Sequence, residues 1–279
     1  MAPPPASGPL TQRLTHLAQT LQFYWFLGHL TLLFCAFRYG LSYFTLNYYS
    51  KTAILTYRTA FLAAPATYGI VVYKAHRARA RAGTKPPGGA LGLLADENVQ
   101  YLIMALVWLY SRQVPLALLP FMVYSIFHVA TYTRSTLIPT VYPPQQGVAG
   151  SGSALGDTIG KFIKEHYDTS MTIVAYLEIG LWCRLLLGAF TFAKGTWVLF
   201  GIYTLFFRAR YSQSTFVQGA INGLVARVDA TLANQSTPPA ARQAWDTVKG
   251  FARQATDATD VNKYVSSPGA PGAGPKKAQ

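Results

Sequence analysis

The chain has 279 residues, 51% hydrophobic and 12% charged, with a formal net charge of +14. A soluble domain carries about 25% charged residues, so the composition excludes an ordinary water-soluble fold and indicates a helical membrane protein. The basic excess lies between apolar blocks and on the final segment, which suits anionic lipid headgroups. No nucleic-acid motif accompanies it, so no nucleic-acid partner is expected.

Residues 1–12 are Pro-rich and are expected to be disordered. They lack a basic n-region and a cleavage site, so no cleaved signal peptide is expected. The first apolar block covers about 20–44 and the second runs from Thr52 to Tyr73. Together they read as a hairpin, about 20–73, with a turn around Asn47–Lys51. A basic loop at 74–97 follows, with Lys74, Arg77, Arg79, Arg81 and Lys85 at its start. Short basic loops stay cytosolic, so this one orients the chain and places the N-terminus in the cytosol.

Pro86 and Pro87 break the chain, and Asp96 is a plausible N-cap for the next helix. The third block, Val99 to Tyr110, spans about 18 Å against a hydrocarbon core of about 30 Å. The rest is organised around the fourth, Val114 to Arg134. Residues 99–134 therefore read as a hairpin that dips into one leaflet, with a thin complete crossing as the alternative. Residues 139–156 read as a Pro/Gly/Ser linker.

Leu155, Ile159, Phe162, Ile163 and Tyr167 fall on one helical stripe, and Asp168-Thr169-Ser170 reads as a cap for the next helix. The fifth and sixth blocks, 171–193 and 196–207, form a third hairpin ending at Arg208 and Arg210. Basic residues after blocks two, four and six imply that both termini are cytosolic. The expected fold is thus an all-α polytopic helical membrane protein. It has about six hydrophobic segments in hairpins, some short, and cytosolic C-terminal amphipathic helices.

Those helices lie in an amphipathic segment, residues 211–265, before a disordered tail at 266–279. In the first, Phe216, Ile221, Leu224 and Val228 recur at helical spacing. After a break at residues 234–239, with Thr237 as N-cap and Pro238 at the first helical position, a second helix follows. It places Trp245, Val248 and Phe251 on one face and Arg242, Lys249 and Arg253 on the other. The apolar faces are candidate membrane-binding surfaces, and the basic residues candidate headgroup contacts. A soluble protein partner on the same face is the alternative. Asn234-Gln235-Ser236 is a glycosylation sequon that a cytosolic terminus leaves unused.

No catalytic constellation emerges. His16, His29, His76, His128 and His166 are scattered, and no zinc helix, phosphate loop or nucleophile elbow is present. No enzymatic activity, metal or cofactor is expected. His128 reads as an aromatic-belt residue bonded to a neighbouring helix rather than as a proton relay. Cys35 and Cys183 lie inside apolar blocks and read as small hydrophobes. Arg58, Glu178 and Arg184 lie inside apolar blocks, where ionisable groups are costly. They are the residues a small transporter or channel would use. Glu178 and Arg184 are too far round one helix to pair, so Glu178 needs a partner on another helix.

Two motifs carry a resemblance. Tyr124-Ser125-Ile126-Phe127-His128-Val129-Ala130-Thr131-Tyr132-Thr133-Arg134 resembles the central signature of the transmembrane protein 33 family, also called the Krüppel-homologue 2 family, including its fungal pore-membrane and perinuclear-ER branch. Phe206-Phe207-Arg208-Ala209-Arg210-Tyr211-Ser212 is similar to a weaker second signature. Within these motifs His128, Thr131, Tyr132, Arg134, Arg208, Arg210 and Tyr211 are the residues of interest. The layout of apolar blocks extends the similarity over most of residues 15–255. The resemblance implies a non-enzymatic protein of the endoplasmic reticulum membrane and nuclear envelope, including the pore membrane. It implies roles in membrane curvature and in nuclear pore complex assembly or distribution. Its implied partners are the lipid bilayer, nucleoporins, reticulon-type ER-shaping proteins and a nuclear import receptor, with homo-oligomers left open. The competing reading is a membrane adaptor that recruits a soluble partner through its C-terminal helices.

Overall fold

The computed structural model describes residues 8–84, 89–143, 154–234 and 237–259. Lys85, the Pro-Pro break, residues 144–153 of the linker, Gln235 and Ser236 of the sequon, and the tail lie outside these. The described residues are helices and turns, with no strand among them. They form two compact units, one up to Phe207 and one from Arg208.

In the first unit, α1 (Leu10–Ala18) turns into α2 (Leu21–Phe44) through a bend of 79°. Thr20 makes the corner. Its hydroxyl donates to the Leu17 carbonyl at 2.7 Å and accepts the Phe23 N–H at 3.1 Å, capping α2. Disorder was expected to residue 12, but the helix begins at Leu10. Leu17 explains the difference, because it is buried against Phe26 and Tyr132, and short helices are stabilised by such contacts.

Ser50 caps α3 (Lys51–Arg81), accepting the Ala53 N–H at 3.2 Å. The stretch from Lys74 to Arg81 was expected to be a loop and is helical. It lacks glycine and proline and alternates alanine with long basic side chains, which favour helix. The two helices meet closely where α2 carries Gly28. A Cβ there would lie 2.5 Å from Thr67 Cγ2 of α3, so only glycine fits without displacement.

A short α4 (Gly89–Leu94) precedes α5 (Glu97–Tyr110). Asp96 caps α5 as anticipated, accepting the Asn98 N–H at 2.9 Å. After a 3₁₀ turn, Pro115–Ala117, come α6 (Leu118–Tyr132), a π turn, Thr133–Leu137, and α7 (Ile138–Val141). The π turn lies directly ahead of Pro139, which has no N–H to continue an α-helical ladder.

α8 (Ala154–Phe190) is one helix of 37 residues. The expected cap at Asp168-Thr169-Ser170 does not form. The Asp168 carbonyl instead accepts the Thr172 hydroxyl at 2.9 Å within the unbroken helix. α9 (Thr196–Gln213) follows, and the Trp182 indole donates to Thr204 at 3.1 Å to join it to α8. The core gathers aromatic rings from α2, α3, α5, α6 and α9, including Tyr39, Tyr57, Phe61, Tyr101, Trp108, Phe121 and Tyr203.

The α5–α6 and α8–α9 turns meet at one end of this unit. The α5–α6 turn is pinned to α3: Arg58 donates to the Trp108 and Leu109 carbonyls, and the Val114 N–H donates to Tyr57 Oη at 3.1 Å. Tyr39 of α2 reaches Gln113 of the same turn at 3.2 Å. Arg112 donates to the Lys194 carbonyl of the α8–α9 turn at 3.3 Å. Among the described residues, two stretches, Pro115–Val141 and Ala154–Phe190, are long and apolar enough to cross a bilayer, and a third crossing results if bent α1–α2 counts as one. The sequence reading had about six hydrophobic segments.

The second unit holds the last turn of α9, α10 (Thr215–Leu232) and α11 (Pro239–Ala258). Ser214 caps α10 through the Val217 N–H at 3.4 Å. α11 starts one residue later than expected. Pro238 stands at the N-cap and Pro239 at the first helical position, where its missing N–H costs nothing. Thr237 instead donates its N–H to the Asn234 carbonyl at 3.0 Å.

Candidate membrane-surface site

Two of the ionisable groups inside apolar blocks, Glu178 and Arg58, find structural partners. Glu178 of α8 is 1% exposed and accepts the Tyr101 hydroxyl of α5. The Tyr101 hydroxyl also lies 3.1 Å from that of Tyr124, and Tyr203 donates to the Glu178 carbonyl at 3.2 Å. Tyr101 thus supplies a contact from another helix of the kind the spacing demanded. Arg58 satisfies carbonyls left open at the C-terminus of α5, where a cation is favoured. Arg184 is exposed and does not meet Glu178 in the contacts observed.

The first motif forms a contact surface on α6. His29 Nδ1 and Ser125 Oγ are 2.9 Å apart, and the His29 and His128 rings lie 4.7 Å apart, with Trp25 5.0 Å from His128. Tyr132 stacks on Phe26 at 4.6 Å. His128 therefore joins α6 to α2 among aromatic rings. Arg134 lies across Gly160 of α8. A Cβ there would sit 2.7 Å from the guanidinium carbon, so the glycine makes room for the arginine. Thr131 is exposed. Among the described residues no three His, Cys, Asp or Glu side chains could hold a metal ion.

The basic end of α3 divides. Arg79 pairs with Asp96 at 3.5 Å. Lys74, Arg77 and Arg81 are exposed along one stripe, at positions three and four apart. Nothing acidic stands in α3, so the stripe carries positive charge alone.

The C-terminal unit rearranges the expected surface. Trp245 of α11 turns its indole to Asp229 of α10, with Nε1 donating at 2.7 Å. Lys249 donates to the same carboxylate oxygen at 2.8 Å and lies 3.1 Å from Asp246. Its hydrogen bond, then that of Trp245, holds the Asp229 carboxyl below its ordinary range, and Asp229 and Asp246 hold the Lys249 ammonium above its own. Arg242 donates to the Asn234 carbonyl at 2.8 Å. Lys249 and Arg242, the candidate headgroup contacts, thus make these bonds within the unit. Arg253 is exposed. The second motif joins in. Arg208 donates to Thr259 Oγ1 at 2.8 Å and to the Thr256 carbonyl at 2.9 Å, holding the last turn of α11. Arg210 is buried, and the Tyr211 carbonyl accepts from Gln218 at 2.9 Å.

No residue of α11 is buried. Val248 is 55% and Phe251 68% exposed, and they stand one turn apart on a single face. On α10, Val228 is exposed, while Phe216, Ile221 and Leu224 are half-buried. The exposed apolar surface is therefore narrower than the sequence pattern suggested and centres on Val248 and Phe251.

Residues 3–257 match the family described as Transmembrane protein 33/Nucleoporin POM33. The chain is 53% identical to a protein of Chaetomium thermophilum named Nucleoporin POM33, over 97% of this chain and 99% of that one. It is 31% identical to Tetra-spanning protein 1 of Schizosaccharomyces pombe, over 93% of this chain and 90% of that one. It is 28% identical to Pore membrane protein of 33 kDa of Saccharomyces cerevisiae, over 86% and 85%. No solved structure matches the chain.

Proposed function

Because the chain belongs to the Transmembrane protein 33/Nucleoporin POM33 family of membrane proteins, we propose that it is a non-enzymatic membrane protein of the endoplasmic reticulum and nuclear envelope that supports nuclear pore complexes by favouring curved membrane. The names of its relatives, nucleoporin and pore membrane protein, support the location. The curvature reading rests on α11. Its exposed Val248 and Phe251 form an apolar strip on a helix with nothing buried, a form suited to the headgroup–acyl boundary. Such a helix adds area to one leaflet only, and unequal leaflet area bends a bilayer. The test uses the tagged full chain with Val248→Ser and Phe251→Ser. Loss of enrichment at the nuclear rim and on tubules, with retention in the reticulum, is the expected result. An unchanged distribution would remove the curvature reading.

A second reading, docking of a soluble partner on the same strip, draws support from the engagement of Lys249 and Arg242 inside the unit. That leaves α11 less cationic than a strongly membrane-attracted helix. Vesicle binding separates the two. The double variant loses binding under the first reading and keeps it under the second.

A further inference from the structure

We infer that α1 is a second membrane-surface element, lying in the plane of the bilayer at the headgroup–acyl boundary. Its ligand is the phospholipid interface itself. Three observations meet here. The first is direction: α1 and α2 are bent by 79°. α2, with 24 residues, reaches about 36 Å at 1.5 Å per residue, so its length alone exceeds a hydrocarbon core of about 30 Å, although it meets the hydropathy of a crossing only together with the α1 side of the bend. If α2 runs across the membrane, α1 runs along it.

The second observation is attachment. Arg13 donates to the Thr140 carbonyl of α7 at 2.7 Å, and Leu17 is buried with Phe26 and Tyr132. Together with the Thr20 corner, these fix α1 against the end of the first unit opposite the helix turns. The third is the division of its surface. Leu10 and Leu14 stand on the Leu17 side yet remain 42% and 38% exposed. Gln12, Thr15, His16 and Gln19 are exposed on the other side. Neighbouring Leu21, Tyr24 and Leu27 of α2 continue the exposed apolar surface. A helix inside the hydrocarbon could not leave Gln12, Thr15, His16 and Gln19 facing lipid. A helix standing in water would gain nothing from Leu10 and Leu14. The boundary between the two satisfies both faces.

This inference rests on α2 crossing the membrane and does not depend on what α11 binds. The experiment scans single cysteines through the full chain, with Cys35→Ala and Cys183→Ala, reconstituted in phosphatidylcholine–phosphatidylserine vesicles. Probes are placed by Leu10→Cys, Gln12→Cys, Leu14→Cys and His16→Cys, all exposed positions that leave the core intact. Each carries an environment-sensitive fluorophore, quenched in turn by a lipid with a shallow acyl nitroxide and by aqueous iodide. Positions 10 and 14 are expected to be quenched by the lipid nitroxide about three-fold more than 12 and 16, with iodide showing the reverse. Iodide quenching of all four alike would put α1 in water and overturn the inference. Lipid quenching of all four alike would make α1 part of a crossing and overturn it equally. Because no variant touches α11, the result is independent of the Val248 and Phe251 test.

Discussion

At the scale of single residues, the close approach of α2 and α3 turns on Gly28 and Thr67. Close interhelical approach at a small residue is a principal source of attraction between helices in lipid, where no hydrophobic drive remains. Gly28→Ala would drive its methyl to 2.5 Å from Thr67 Cγ2, and overpacking of this kind costs about 1–3 kcal/mol. The thermal midpoint in detergent should fall. Thr67→Ser removes the clashing methyl while keeping the hydroxyl that donates to Ala64 at 2.8 Å. Adding it to Gly28→Ala should restore most of the loss. If both variants fall additively, the contact is not what limits the pair. Neither Gly28 nor Thr67 stood out in the sequence, because a glycine in an apolar block shows nothing of what faces it. Glu178 did stand out, as a charge in an apolar block. Its partner Tyr101 did not, since only the fold brings α5 to α8.

At the scale of elements, α10 and α11 are joined through Asp229. Spacing put Trp245 on the apolar side of α11, whereas Asp229 of α10 is a charged residue. The structure brings them together, because an indole offers both an apolar body and an N–H. Asp229 has a depressed carboxyl, so its contribution is present above the ordinary carboxylate range and is lost as pH falls through its lowered value. Lys249 is shifted upward, so its contribution lasts through neutral pH and is lost only as pH rises through that raised value. The α10–α11 contact should therefore be level around neutrality. Asp229→Asn keeps an acceptor for Trp245 but removes the charge facing Lys249. Hydrogen exchange in residues 239–258 should quicken about two- to five-fold at neutral pH, the range for an exposed ion pair. The difference from the parent chain should shrink at acid pH. A difference unchanged in acid would mean that the carboxylate charge is not what holds α11.

Boundaries of elements were legible where a cap or breaker was local. Asp96 capped α5 because its side chain reaches the N–H two residues on. They failed where continuation depended on distant contacts. α8 passes through a polar run that looked like a cap, and Phe162 and Tyr167 there meet Phe127 of α6 with ring centres 5.9 and 5.7 Å apart. That support is invisible to a helical wheel, as is the Leu17 contact that orders α1.

At the scale of the membrane unit, the helix turns do not all end at one depth. Arg58 and Tyr57, which hold the α5–α6 turn, lie seven and six residues into α3. At 1.5 Å per residue that turn stops about 10 Å short of the α2–α3 turn. Irregular backbone can lie within a bilayer only where protein groups satisfy it, and here Arg58 serves the carbonyls and Tyr57 the Val114 N–H. Depth can be read by chemistry. In a chain with Cys35→Ala and Cys183→Ala, a thiol from Tyr49→Cys should react with a membrane-impermeant maleimide at least about ten-fold faster than one from Ser111→Cys, because thiol modification requires the ionised form in water. The comparison is made in sealed vesicles with reagent on both sides, so sidedness does not enter. Equal rates would place both turns at the aqueous boundary and make α5–α6 a thin complete crossing. A ten-fold gap would leave the turn beneath the surface, where a short hairpin occupies one leaflet more than the other.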